Sequence, residues 1–132
     1  MCGIAGIVTA DGSTPDIRLL QAMTDAIAHR GPDGEGHVAR PGFGFGHRRL
    51  SVIDLAGGAQ PMTDEREQHW VTFNGEIYNF LDLRSALESR GHRLLTRSDS
   101  EVLLRLVGEE GPAALNSLRG MFAFGLWNAR RR

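Results

Sequence analysis

Met1-Cys2-Gly3-Ile4-Ala5-Gly6-Ile7-Val8 opens the chain, and Cys2 is its only cysteine. A small second residue favours removal of the initiator methionine, so Cys2 is expected to become the first residue. It then carries a thiol and a free α-amine on one carbon. A thiol titrates near 8.5 and an α-amine at about 7.7–8.0, so at neutral pH part of the amine is free to take the thiol's proton. Nucleophile and base then reside on one residue, as in threonine–amine sites. The competing reading is a small apolar residue leading a strand, since buried free cysteine is common. Gly3 to Val8 itself reads as a short buried strand, closed by the turn signal Asp11-Gly12-Ser13.

Composition narrows the classes. The chain has 132 residues, 41% of them hydrophobic, enough for one domain with a real core. Fifteen basic against sixteen acidic residues leave a formal charge of −1, which implies neither nucleic acid nor an anionic membrane as partner. All the basic residues are arginine, so lysine nucleophiles and Schiff bases are excluded. One cysteine excludes an intrachain disulfide and a thiolate metal cluster. The first apolar stretch is too short for a signal peptide and no run reaches membrane length, so a soluble, cytoplasmic protein is expected.

Further along, Thr14-Pro15-Asp16 opens a helix with Ile17, Leu20, Met23 and Ile27 on one face, ended by His29-Arg30-Gly31-Pro32. The glycine-rich run from Gly31 to Gly46 reads mostly as loop and bulged strand. Leu50 to Leu55 is a strand candidate. His69 to Phe73 alternates like a strand and runs into Asn74-Gly75, a strong turn dipeptide. A helix spans about Asn79 to Arg90, with Phe80, Leu83 and Leu87 inward and Gly91 as its stop. Arg93 to Thr96 reads as a short strand. Ser98-Asp99-Ser100-Glu101 is a capping box placing Asp99 in the first turn of a helix with Leu103, Leu106 and Val107 on one face. Gly120 to Trp127 is the most hydrophobic strand, and Arg130-Arg131-Arg132 ends it. Strands and helices mix without βαβ alternation, which argues α+β. A final strand with nothing after it suggests the front part of a longer polypeptide.

Several polar groups carry two readings each. Asn74-Gly75-Glu76 is a plain turn, or a side-chain amide and a glycine N–H converging on one oxyanion, with Glu76 beside them to meet a cation. Arg48-Arg49 is a solvated pair, or one of them forks onto a carboxylate. Asp99 is a helix-stabilising acid, or it receives an ammonium. His29, His37, His47, His69 and His92 lack metal-site spacing and read as structural or surface residues. Together the set fits an α-amino acid whose side-chain carbonyl is attacked.

Seven motifs in order carry a resemblance: Met1 to Gly6, His29 to Asp33, His47 to Asp54, Gln60-Pro61-Met62, Phe73 to Asn79, Ser98 to Glu101 and Gly120 to Phe124. They are similar to the glutaminase domain of glutamine-hydrolysing asparagine synthetases, class II glutamine amidotransferases of the N-terminal-nucleophile hydrolase fold. The resemblance implies a four-layer αββα sandwich of two antiparallel sheets flanked by helices. It covers residues 1–132 as one glutamine amidotransferase type 2 domain, truncated at its C-terminus. Cys2 would attack the glutamine side-chain amide, and Asn74 and Gly75 would hold the oxyanion. Arg49 would bind the substrate α-carboxylate and Glu76 and Asp99 its ammonium, with Leu50, Val52 and Ile53 lining the pocket. No cofactor is implied for this chain. ATP and magnesium belong to a synthetase domain that receives the ammonia and has no counterpart here; a homodimer is a further expected partner. Two alternatives stand beside this: the glutaminase domain of another class II enzyme, making aminosugars or phosphoribosylamine, and an inert glutamine-binding module.

Overall fold

Alternation along two strands organises the molecule. The computed structural model describes residues 2–50 and 58–131. Strands β1 (Gly3–Val8), β2 (Gly34–Arg40) and β3 (Phe43–Arg49) form one antiparallel sheet in the order β1-β3-β2. Strands β4 (Met62–Thr63), β5 (His69–Ile77) and β6 (Gly120–Asn128) form the second, with β5 central. Helix α1 (Ile17–Ala26) packs on the first sheet, while α2 (Phe80–Ser89) and α3 (Asp99–Glu110) cover the second. The four layers are α, β, β, α, as the resemblance implies.

Strand side chains alternate between faces. In β3, Phe43 and Phe45 point to the second sheet, where Phe43 stacks on Trp127 at 5.0 Å and packs near Trp70 at 6.1 Å. Gly44 and Gly46 point the other way, against α1. A Cβ on Gly46 would lie 2.4 Å from Thr24 Cγ2, so glycine is what lets the helix seat on the strand. The run from Gly31 to Gly46, expected as loop and bulged strand, is largely a β-hairpin, β2 and β3 with a short turn between them; Gly44 and Gly46 serve close packing. In β5, Val71, Phe73 and Ile77 join Leu103 and Leu104 of α3 in a buried cluster. Trp70 and Thr72 face the first sheet.

Other expectations need correcting. Asn74-Gly75 forms no turn: β5 runs through it, pairing Asn74 with Ala123 and Gly75 with Phe122. Gly75 takes φ 152°, and a Cβ there would sit 2.2 Å from the Met121 carbonyl oxygen. Backbone pressed that close leaves room for no side chain. The final strand, expected to await a later partner, pairs with β5 over nine positions. Arg93 to Thr96 is not a strand, because the Glu101 carboxylate accepts from the backbone N–H groups of Leu95 and Thr96 at 2.6–3.0 Å. Only half of the capping box forms: Ser98 Oγ accepts from Glu101 N, while Glu101 caps the preceding loop. Helix α1 starts at Ile17 with Asp16, not Thr14, as its cap. Its buried face is Leu20 and Thr24; Ile17 and Met23 are exposed. The Leu50–Leu55 strand candidate falls almost entirely outside the described residues. Among those described, no helix is long and apolar enough to cross a membrane.

Candidate active site

The layer between the sheets is greasy at one end and polar at the other. Along the inward face of β3 the residues run Phe43, Phe45, His47, Arg49; along that of β5 they run Trp70, Thr72, Asn74, Glu76. Alternation alone makes each set coplanar, and the change from aromatic to polar occurs at the same level in both strands. At the polar end lies a cavity of about 270 Å³. Cys2, Arg49, Leu50, Asn74, Gly75, Glu76 and Asp99 all line it, which is every described residue singled out from the sequence. Val52 and Ile53 lie outside the described residues.

Cys2 enters from just before β1, whose register sets Gly3 opposite Arg48 and so brings Cys2 beside the end of β3. Its Sγ lies 3.4 Å from Leu50 N and 3.7 Å from Leu50 O. Arg30 Nε donates to the Cys2 carbonyl at 3.0 Å, which pins the nucleophile's backbone. The two arginines part by alternation. Arg48 turns to α1, pairing with Asp25 and, at 2.7 Å, with Glu35, while Arg49 lines the cavity.

The edge of β5 beyond β4 supplies the opposite wall. Phe73 N donates to Gln60 Oε1 at 2.6 Å, and Ile77 N donates to Asp99 Oδ2 at 3.0 Å. On the other edge, Tyr78 N bonds to Arg119 O, continuing the β6 side. The period of two thus turns the Gly75 N–H towards the same open edge, between the positions held by Gln60 and Asp99. The Asn74 amide has its Oδ1 buried without a partner. No hydrogen bond from its Nδ2 to any described residue forms, so that donor is unspent. Two unspent donors on adjacent residues are what a developing oxyanion needs.

Charge is uneven across the cavity. Burial pushes the Asp99 carboxyl above its usual range, and the neighbouring Glu76 charge adds to this, while the N–H groups of Ile77 and Ser100 oppose it. Two carboxylates together attract a cation, and a bound ammonium relieves both. Asp99 must be ionised to hold it. An ammonium is then held while Asp99 is ionised and the ammonium itself keeps its proton, and it is lost as pH falls through the raised Asp99 value. The KM of an ammonium-bearing ligand is expected to climb as pH falls through the raised Asp99 value, at a higher pH than an ordinary carboxylate would dictate. Asp99→Asn should raise KM roughly ten- to a hundredfold, the worth of a hydrogen bond to a charged group, and remove that acid limb. A KM profile unchanged by Asp99→Asn would defeat the assignment.

Two lining residues escaped sequence reading. His47 was set aside with the other histidines, yet it is 1% exposed and lies two residues from Arg49 on the same strand face. That spacing was the available signal. Burial and the Arg49 charge lower its pKa to about 4, so the ring is neutral at pH 7. Gln60 ties β5 to α3 by also donating to Ser100 Oγ at 3.1 Å; no local pattern announces such a bridge. Among the described residues no three His, Cys, Asp or Glu side chains converge to hold a metal.

Two facing antiparallel sheets between helices, with the Cys2 thiol at one end, match the N-terminal-nucleophile hydrolase architecture. Residues 1–132 match the family described as "Glutamine amidotransferase domain", and the chain belongs to that family of enzymatic domains. It is 45% identical over 131 residues to asparagine synthetase [glutamine-hydrolyzing] 1 of Bacillus subtilis (strain 168), covering 97% of this chain and 21% of that protein. Asparagine synthetase B [glutamine-hydrolyzing] of Escherichia coli (strain K12) is 37% identical, with coverage of 99% and 24%. The chain thus spans less than a quarter of either relative. Among solved structures, the allosteric regulatory enzyme of purine biosynthesis superposes with a TM-score of 0.56 at 25% identity, over 69% of this chain and 22% of that one. Glutamine phosphoribosylpyrophosphate amidotransferase from B. subtilis gives 0.57 at 24% identity over the same shares. The likeness to these two is one of fold.

Proposed function

We propose that residues 1–132 are the glutaminase domain of a cytoplasmic asparagine synthetase, with Cys2, freed of Met1, as nucleophile and base. One observation carries the site assignment: the seven described candidates, the thiol among them, come from four separated stretches of chain and line a single cavity. Sequence identity favours the asparagine synthetases over enzymes making phosphoribosylamine, to which the likeness is one of fold.

The reaction then runs as follows. Arg49 forks onto the glutamine α-carboxylate, and Glu76 with Asp99 take its ammonium, which leaves the side-chain amide facing Cys2. The Cys2 amine removes the thiol proton as Sγ attacks the amide carbon. Negative charge moves to the carbonyl oxygen, where Asn74 Nδ2–H and Gly75 N–H receive it. Collapse of the tetrahedral species breaks the C–N bond, and the amine's proton leaves with ammonia. A γ-glutamyl thioester remains on Cys2. Water adds to it, aided by the same amine, and glutamate departs with the thiol restored. Thiol, amine, amide and main-chain donors all come from the chain, so hydrolysis itself calls for no cofactor. ATP and magnesium enter with a synthetase domain that takes up the ammonia for aspartate.

Intact mass before and after 6-diazo-5-oxo-norleucine, a glutamine analogue that alkylates activated thiols, tests this. Loss of Met1 and one adduct on Cys2, blocked by excess glutamine, is the expected result. A folded protein that retains Met1 and gains no adduct overturns it.

A further inference from the structure

Phe73, Gln60 and Ser100 form one chain of hydrogen bonds along the cavity wall, and its polarity is fixed at the first link. A backbone N–H can only donate, so the Gln60 atom that meets Phe73 N at 2.6 Å is the side-chain oxygen. The amide nitrogen then faces Ser100 Oγ at 3.1 Å, and it too can only donate. Ser100 Oγ therefore accepts from Gln60, and its own proton goes elsewhere. No described residue takes it. Asp99, the chain neighbour, accepts from the backbone N–H groups of Ile77 and Ser100, not from the hydroxyl. Ser100 is 3% exposed and lines the cavity, so the cavity is the side left open to that proton. A buried hydroxyl with an unspent proton calls for an acceptor.

The place of Ser100 says what that acceptor is. Gln60 and Asp99 occupy the open edge of β5 at Phe73 and Ile77, on either side of Gly75. Ser100 is bonded to the first and adjacent in the chain to the second, which sets its hydroxyl against the stretch of edge that Gly75 leaves open. Gly75 and Ser100 both line the cavity, and Gly75 N makes no bond to Ser100 Oγ. Two donors that face one space without bonding each other suit a single acceptor between them. A carbonyl oxygen gaining negative charge is such an acceptor. Each donor upstream in the chain also polarises the next, which strengthens the last one.

We propose that the Ser100 hydroxyl is a third donor to the reacting carbonyl oxygen, with Gln60 as the positioning residue that turns its proton into the cavity. This rests on the glutaminase reading of the same site. Gln60 transfers no proton; by accepting from Phe73 N it is left with only a donor to offer Ser100, and that decides which way the hydroxyl points.

Steady-state glutaminase kinetics of the purified protein tests this with two variants that remove the donor in different ways. Ser100→Ala deletes it. Gln60→Glu, ionised at about pH 8, still accepts from Phe73 N but shows Ser100 a second oxygen, which captures the hydroxyl proton. Each should lower kcat roughly ten- to a hundredfold, the worth of a hydrogen bond to a charged group. In Ser100→Ala the KM for glutamine should stay within about twofold. The double variant should lose no more than either single one. Relative to the parent at each pH, Gln60→Glu should regain kcat on acidification, because a protonated glutamic acid donates to Ser100 again; a merely structural role has no such recovery. Asp99 and Glu76, the charged groups beside it, are common to both proteins and cancel in that ratio. Thermal unfolding of each variant secures that a folded protein is being read; if Gln60→Glu does not fold, Ser100→Ala decides alone. Parent-level kcat in Ser100→Ala, or losses that multiply in the double variant, overturns the proposal. So does a loss confined to KM, which would put the hydroxyl on the α-carboxylate instead. The alkylation test above judges the glutaminase reading separately: a parent that forms the Cys2 adduct while Ser100→Ala keeps full kcat sinks only the third donor.

Discussion

A Cys2→Ala variant is expected to lose glutamine hydrolysis by a factor on the order of 10⁴–10⁶ while still binding glutamine. The carboxylate and ammonium partners proposed above, Arg49, Glu76 and Asp99, stand on β3, β5 and α3. Among the described residues Cys2 Sγ hydrogen-bonds only to Leu50 main-chain atoms, at 3.4 and 3.7 Å, so its loss should cost little stability. Rate and fold are thereby separable. Cys2→Ser keeps the α-amine and a protic group, but a hydroxyl is the weaker nucleophile for the same base, so turnover should be slow and adduct formation slower still. Single-turnover hydrolysis with glutamine binding measured alongside checks both variants. Parent-level turnover by Cys2→Ser would rule out thiol attack. Glutamine bound but not consumed by the parent would mark an inert binding module instead.

Asn74→Ala should carry the second-largest loss. Removing one oxyanion donor costs about 2.7–4 kcal/mol of transition-state stabilisation, roughly 10²–10³ in kcat. The change is clean because the side-chain amide makes no hydrogen bond to a described residue, and its oxygen is already orphaned. Strand pairing with Ala123 is main-chain and survives. The loss should therefore fall on kcat, with KM nearly unchanged, since a ground-state carbonyl oxygen needs the donor less than an oxyanion does. A defect confined to KM would recast Asn74 as a substrate-binding residue. Steady-state kinetics with a thermal melt on the same sample distinguishes the two.

How far the sequence could be read depended on whether the deciding interaction was local. Cys2 announced itself by position and uniqueness, and Asp99 by its place after Ser98, a cap that the folded helix keeps. Asn74-Gly75 was read for the right chemistry in the wrong conformation. The dipeptide favours a turn in isolation, but nine rungs of pairing with β6, some fifty residues later, hold it extended, and glycine there absorbs the φ that close approach of β6 imposes. Gly44 and Gly46 were read as loop or bulged strand, and what escaped was their purpose on β3. Glycine in a short window signals a loop, whereas here it makes room for α1 against β3. Arg93 to Thr96 had a strand's composition, yet its main-chain donors went to the Glu101 side chain.

What the sequence determined by itself is the chemical inventory: a lone thiol behind a removable methionine, an arginine before Leu50, an amide–glycine–acid triplet and an acid in a helix's first turn. These follow from residue type and near-neighbour spacing, which a one-dimensional string contains. What only the tertiary structure decided is which groups lie together: Arg48 turned away onto Asp25 and Glu35, His47 alone of five histidines lining the cavity among the described residues, and Gln60 as the bridge from β5 to α3. Those choices turn on which face of a strand meets another strand tens of residues away, and on how deeply a group is buried once it does. Burial and facing are properties of pairs distant in sequence, so they exist only after the sheets have closed on one another.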